Sequence, residues 1–96
     1  MARVTVKTPG LLLRLYVAGN APNSLRAIAN ARSICAEHFA ASHQLEIVDL
    51  LQFPSRALED GIIVTPTLLK LLPLPTLRVI GDLSDTRQVF LALAPA

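Results

Sequence analysis

Few side chains in this sequence could carry out chemistry. There is one cysteine, Cys35, and there are two histidines, His38 and His43. A lone cysteine forms no internal disulfide, and no metal-binding spacing surrounds this one. His38 and His43 lie five positions apart, with Glu37 beside them. Helix geometry brings residues three or four apart onto one face, so this spacing does not converge two imidazoles on a metal, and no third ligand is evident. The pair reads as a solvated helix end, where the backbone dipole favours a cation. Asp49, Asp60, Asp82 and Asp85 form no obvious acid–base pair. Asp82 and Asp85 sit among turn residues and read as turn and cap groups. The glycines form no G-x-x-x-x-G-K-[ST] phosphate loop. No catalytic, metal or cofactor site emerges from these residues.

Composition narrows the remaining classes. The chain has 96 residues, enough for one small domain. It is 52% hydrophobic and 17% charged, which excludes intrinsic disorder. Only 4% is aromatic, so the core must be aliphatic, and an exposed apolar patch or an oligomer interface is expected. The net charge is +2, spread along the chain. No basic run exists to follow a phosphate backbone and Trp is absent, so nucleic-acid binding is not expected. Residues 1–7 lack the apolar core of a signal peptide. The apolar stretch from Leu11 to Ala18 is far short of the roughly 20 residues that span a bilayer. A cytoplasmic protein with no membrane association is expected.

The elements follow from periodicity. Residues 1–10 read as a flexible N-terminal arm and residues 11–96 as a single domain. Leu11 to Ala18 is a mostly buried strand, broken by Gly19 to Asn23. Asn23 or Ser24 can cap a helix from about Ser24 to Ala40. Leu25, Ile28, Ala31, Cys35 and Phe39 would form its apolar stripe. Leu45 to Leu51 is the next strand, and a strand–helix–strand unit forces the two strands parallel. Pro54 opens a short helix over Ser55 to Asp60, which Gly61 stops. Strands follow over Thr67–Leu72 and Thr76–Ile80, around the turn Pro73-Leu74-Pro75. Asp85 and Gln88 resemble a capping box ahead of a helix over Thr86–Ala94. The order, βαβ, a helix, ββ and a closing helix, is that of an α/β thioredoxin-like domain.

That architecture sharpens the question of redox activity. A redox enzyme of this fold places its cysteine where the first strand meets the first helix, because the helix N-terminus stabilises the thiolate. Here that loop is Ala18-Gly19-Asn20-Ala21-Pro22-Asn23, with no Cys, Ser or Thr. Cys35 falls about three turns into the helix, on its apolar stripe, and reads as an inert core residue. Thr65-Pro66 enters the central hairpin, where a proline of this fold is commonly cis. With no thiol to face, its role reads as structural.

Several stretches together resemble the KaiB family of circadian clock proteins. They are Leu13 to Asn20, Pro22-Asn23-Ser24, Val48-Asp49 with Pro54, Glu59-Asp60, Thr65 to Leu68, Lys70, Leu72-Pro73, and Arg78 to Ser84. The resemblance runs from about Leu11 to Leu93. It implies a non-catalytic regulator without cofactors that docks on the ATPase ring of KaiC, helps sequester KaiA, and competes with a clock histidine kinase whose sensor domain has a related fold. It also implies metamorphism, between a tetramer-forming fold and a thioredoxin-like monomer that binds partners. Partner contacts would fall at Arg26, Glu46, Asp60, Gly61, Lys70 and Arg78. Arg26, Lys70 and Arg78 match basic positions of the family, whereas Glu46 and Gly61 stand where relatives often carry Lys. A reversed charge at an interface weakens or redirects binding, so a divergent paralogue with an altered partner is implied. The fold switch would involve Thr65, Pro66, Pro73, Pro75, Gly81, Asp82 and Ala92. Ala92 stands where the family often has Gly, and Ala over Gly favours a helix by about 1 kcal/mol. With Phe90, Leu91 and Leu93 as its apolar face, the last segment is expected to be helical and the thioredoxin-like state to dominate. The alternatives are a redox protein using Cys35 and a structural oligomer that does not switch.

Overall fold

The computed structural model describes residues 10–94, so the arm expected over residues 1–10 lies, but for Gly10, outside the described part. Seven elements follow in the order β1 (Leu11–Val17), α1 (Pro22–His38), β2 (His43–Asp49), α2 (Pro54–Glu59), β3 (Thr67–Leu72), β4 (Leu77–Ile80) and α3 (Thr86–Leu93). The four strands form one sheet in the order β2-β1-β3-β4. β1 and β2 are parallel, and β3 pairs antiparallel with both β1 and β4. This is the mixed α/β arrangement expected from the order of elements.

β1 occupies the interior of the sheet, and its alternation assigns the two faces. Leu11, Leu13, Leu15 and Val17 point toward α1 and α3, where they join Ala27, Ala31, Ile34, Cys35, Leu68, Leu83, Val89 and Leu93 in the main core. Tyr16 points the other way, into a smaller cluster with Val48, Leu69 and Ala57 of α2.

The buried stripe of α1 matches the one expected at Ala31 and Cys35 and differs elsewhere. It comprises Ser24, Ala27, Ala31, Ile34 and Cys35, while Leu25 is 51% exposed. Ile28 and Phe39 only flank the core. Small side chains at 24, 27 and 31 let the helix backbone lie close to the sheet, and Leu25 is one helical step away from that contact. Neither Asn23 nor Ser24 caps the helix, because it starts earlier. Ala21 holds the cap position without a side-chain hydrogen bond, and Pro22 fills the first turn, where its missing N–H is harmless. The Ser24 hydroxyl instead accepts from the Ala18 N–H at 3.0 Å and fixes the β1–α1 loop. β2 starts two residues before the expected boundary and ends at Asp49, leaving Leu51 exposed.

α2 stops as expected. Gly61 has φ +65°, a region that L side chains rarely adopt. Its N–H bonds to the Leu58 carbonyl at 3.1 Å, and the Ile62 N–H bonds to that of Ala57 at 2.9 Å. The peptide bonds Thr65-Pro66, Leu72-Pro73 and Leu74-Pro75 are all cis. Asp85 caps α3 by accepting from the Gln88 N–H at 3.2 Å. Val89 and Leu93 carry α3 into the core, while Leu91, expected on its apolar face, is exposed.

Candidate functional site

The face of the sheet beneath α2 carries a polar network. Cross-strand register aligns Glu46 of β2, Arg14 of β1, Leu69 of β3 and Arg78 of β4 in one row. Tyr16 lies two residues beyond Arg14, on the same face. Arg14 donates through Nε to Glu46 Oε1 at 2.7 Å and through Nη1 to Asp60 Oδ2 at 2.9 Å. Arg56, from α2, holds the same Glu46 carboxylate through two nitrogens, at 3.0 and 2.6 Å. The Tyr16 hydroxyl donates to Asp60 Oδ2 at 2.5 Å, with the Arg56 carbonyl 2.9 Å away as a second acceptor. Arg78 donates to the carbonyls of Gly61 and Asp60 and holds the turn that ends α2.

The charges in this network stabilise one another. Arg56 and then Arg14 bring the Glu46 carboxyl down to about 2, against a weaker opposing effect of burial. Burial opposes ionisation of Asp60, yet the Tyr16 hydroxyl and Arg14 outweigh it and hold that carboxyl below its ordinary value. Burial, followed by the hydrogen bond to Asp60, pushes the Tyr16 phenol up to about 12. Hydrogen bonds to Glu46 raise both Arg14 and Arg56. Carboxylates held this far down make poor proton acceptors at neutral pH, so the network is suited to fixing a surface and not to general base catalysis.

Of the residues singled out from sequence, Glu46, Asp60, Gly61 and Arg78 come together on this face. Arg26 lies apart, on α1, where its Nε is 3.2 Å from Asp82 Oδ2. Asp82 also accepts from the Ser84 N–H at 3.0 Å; the Ser84 hydroxyl first, then this N–H, then Arg26 lower its carboxyl. Lys70, expected as a partner contact, is 4% exposed on the α1–α3 face, opposite Leu13 and Leu77. Among the switch candidates, Thr65 and Pro66 lead into β3, Pro73 and Pro75 form the β3–β4 turn, Gly81 and Asp82 follow β4, and Ala92 lies in α3. The organisers of the network, Arg14, Tyr16 and Arg56, were not singled out from the sequence. Their signal was present: a charge and a phenol two apart in an otherwise apolar strand mark a face that needs polar partners.

Cys35 is buried, and burial pushes its thiol up, away from the reactive thiolate. His38 packs on Phe90 with ring centroids 4.4 Å apart, and His43 Nδ1 lies 2.8 Å from the Phe39 carbonyl. Among the described residues no cluster of three or more metal-ligating side chains exists. None of the described helices is long and apolar enough to cross a membrane.

A family model of the KaiB domain matches residues 14–95. The chain belongs to the KaiB family. It is 49% identical over 82 residues to the circadian clock oscillator protein KaiB of Synechococcus elongatus, covering 85% of this chain and 80% of that one. It is equally identical over 83 residues to the circadian clock protein KaiB3 of Synechocystis, covering 86% and 81%. KaiB proteins are non-catalytic regulatory binding proteins, and so is this family member. Two solved structures resemble its fold. The N-terminal domain of Synechococcus elongatus SasA superposes with a TM-score of 0.73 and 24% identity, over 100% of this chain and 95% of that domain. Chloroplastic thioredoxin z gives a TM-score of 0.74 at 15% identity, over 95% of each chain. At such identities these two establish a thioredoxin-like fold alone.

Proposed function

We propose that this KaiB family member is a cytoplasmic regulator that docks on a KaiC-like ATPase through the face bearing α2. The observation that carries this reading is an apolar rim around the neutralised network. Leu58 is 81% and Ile63 94% exposed, and Val64 and Ile80 are exposed as well. Ile80 lies two residues beyond Arg78 on the α2 side of β4. Exposed aliphatic side chains beside a rigid polar centre are the usual anatomy of a protein-binding patch. Glu46 and Asp60 are compensated within the chain, so they organise this surface through Arg14, Arg56 and Tyr16 and do not present free negative charge. Arg26 and Lys70 lie outside the patch and take no part in this docking.

The family resemblance supports two further elements of the proposal. One is exchange between this thioredoxin-like monomer and a tetramer of different fold, with the change in Thr65, Pro66, Pro73, Pro75, Gly81, Asp82 and Ala92 and their neighbours. The other is competition with a clock histidine kinase and recruitment of KaiA. A partner that binds only the thioredoxin-like form draws the population toward it, and binding is unimpeded where that form already dominates.

The test is a titration of labelled KaiC homologues with the purified protein. Ile63→Asp places a charge in the apolar rim and is expected to weaken binding at least about tenfold, with an unchanged NMR fingerprint. Cys35→Ser is expected to leave affinity unchanged. Equal affinity of Ile63→Asp and the parent would overturn the assignment of this face, and loss of binding in Cys35→Ser would revive the redox alternative. Light scattering on the eluted protein reads the monomer–tetramer balance.

A further inference from the structure

Lys70 has a second environment to explain, on the face of the sheet away from α2. Among the described residues it is the one buried side chain that carries a charge; the other buried polar residues are Ser24 and Thr67. No hydrogen bond or ion pair joins its amine to any described residue, although every fully enclosed side-chain nitrogen and oxygen there has a partner. The amine therefore keeps some access to solvent, and Lys70 lines a cavity. That cavity has a volume of about 450 Å³ and lies between the β3–β4 hairpin and the end of α3. Its other walls are apolar: Pro73, Leu74, Leu77, Ala92 and Ala94 among them. Ala92 of α3 and Ala94 just after it are small and leave this space unfilled.

We propose that this cavity binds a small amphipathic carboxylate, its head group on Lys70 and its short hydrocarbon tail between the hairpin and α3. A burial site for one cation asks for one negative charge. A phosphate dianion would leave charge uncompensated among prolines and leucines, whereas a monocarboxylate is matched and its tail covers apolar wall. The volume lies within the ~300–1,000 Å³ typical of small-molecule sites. The hairpin and α3 both line the cavity, so an occupant bridges them and stabilises the folded chain by mass action. The site lies on the opposite side of the sheet from the docking face and does not depend on KaiC binding.

The experiment titrates octanoate into the full chain and follows amide resonances by NMR, with octanol and inorganic phosphate as controls. Octanoate is expected to give saturable shifts centred on Lys70, Leu77, Ala92 and Ala94, with octanol and phosphate at least about tenfold weaker. Lys70→Met keeps the aliphatic stem, and it is expected to keep the fold and lose the preference for octanoate over octanol. Ala92→Leu keeps Lys70 but fills the cavity, and is expected to abolish both. Absence of saturable octanoate shifts, equal binding of octanol, or undiminished octanoate binding by a folded Lys70→Met would each overturn the proposal.

Discussion

The two faces of the sheet are held by different physics. Toward α1 and α3 the contacts are aliphatic: alternate residues of β1 meet small and branched side chains of two helices. Toward α2 the helix is six residues long and buries one side chain, Ala57. A helix this short is marginal on propensity, and one alanine supplies little apolar burial. Directional bonds take over there, from Arg56 to Glu46, from Tyr16 and Arg14 to Asp60, and from Arg78 to the closing turn. One face is specified by volume, the other by charge and geometry. The proposed docking surface lies on the second, where exposed apolar groups can be held in place without a large core behind them.

This comparison breaks if the two faces respond alike to truncation. Leu15 is fully buried on the aliphatic face, and Leu15→Ala is expected to destabilise the domain by about 2–5 kcal/mol in urea denaturation. Arg14→Met on the other face removes two ion pairs but keeps most of the side chain's packing. Arg14 is 26% and Glu46 40% exposed, so solvent screens much of the interaction. The expected loss is about 1–2 kcal/mol, smaller than that for Leu15→Ala. A larger loss for Arg14→Met would show that the polar face, and not the core, carries the fold.

The same division explains what could be read from the sequence. Period and punctuation place every element to within a few residues, because β1, β3 and α3 bury apolar side chains, Pro54 and Gly61 bound α2, and Asp85 caps α3. The α1 stripe holds at Ala31 and Cys35 but not at its start, where Leu25 is exposed. Apolar type favoured Leu25, whereas close approach to the sheet favoured Ser24 and Ala27, and only the packing distance separates the two. Asp60, Gly61 and Arg78 were singled out through family positions, but their mutual contacts were not legible, since Arg14 meets Asp60 across 46 positions of chain. The resemblance assigns Lys70 to a partner surface, whereas the structure buries it. Its burial depends on how the hairpin folds against α3, which local patterns do not encode.

Acid sharpens the contrast between the faces, since the paired carboxylates Glu46 and Asp60 lie on the α2 side. Glu46 is held at about 2 against an ordinary 4.5. A carboxyl lowered on folding adds stability above its unfolded value, and that contribution fades as pH falls from about 4.5 toward 2. Asp60, also lowered, acts in the same direction. Thermal melts between pH 6 and pH 2 should therefore show falling stability, and Glu46→Gln should reduce the slope below pH 5. Because Glu46 is partly solvated, its share is expected to be under about 1 kcal/mol. An unchanged slope in Glu46→Gln would mean that its pairs with Arg14 and Arg56 are not maintained in solution.

The smallest effect has the cleanest readout. Tyr16 is the one tyrosine and Trp is absent, so ultraviolet absorbance reports its ionisation alone. Burial and the hydrogen bond to Asp60 place that ionisation at about 12, against an ordinary value of 10. In urea the midpoint should return to about 10. The unfolded chain releases this proton first, so stability is expected to decline as pH rises from about 10 toward 12. Asp60→Asn keeps an acceptor oxygen but removes the negative charge, and should lower the native midpoint. A native midpoint of 10 would place the phenol in water, and Arg14 alone would then tie β1 to Asp60 at the end of α2.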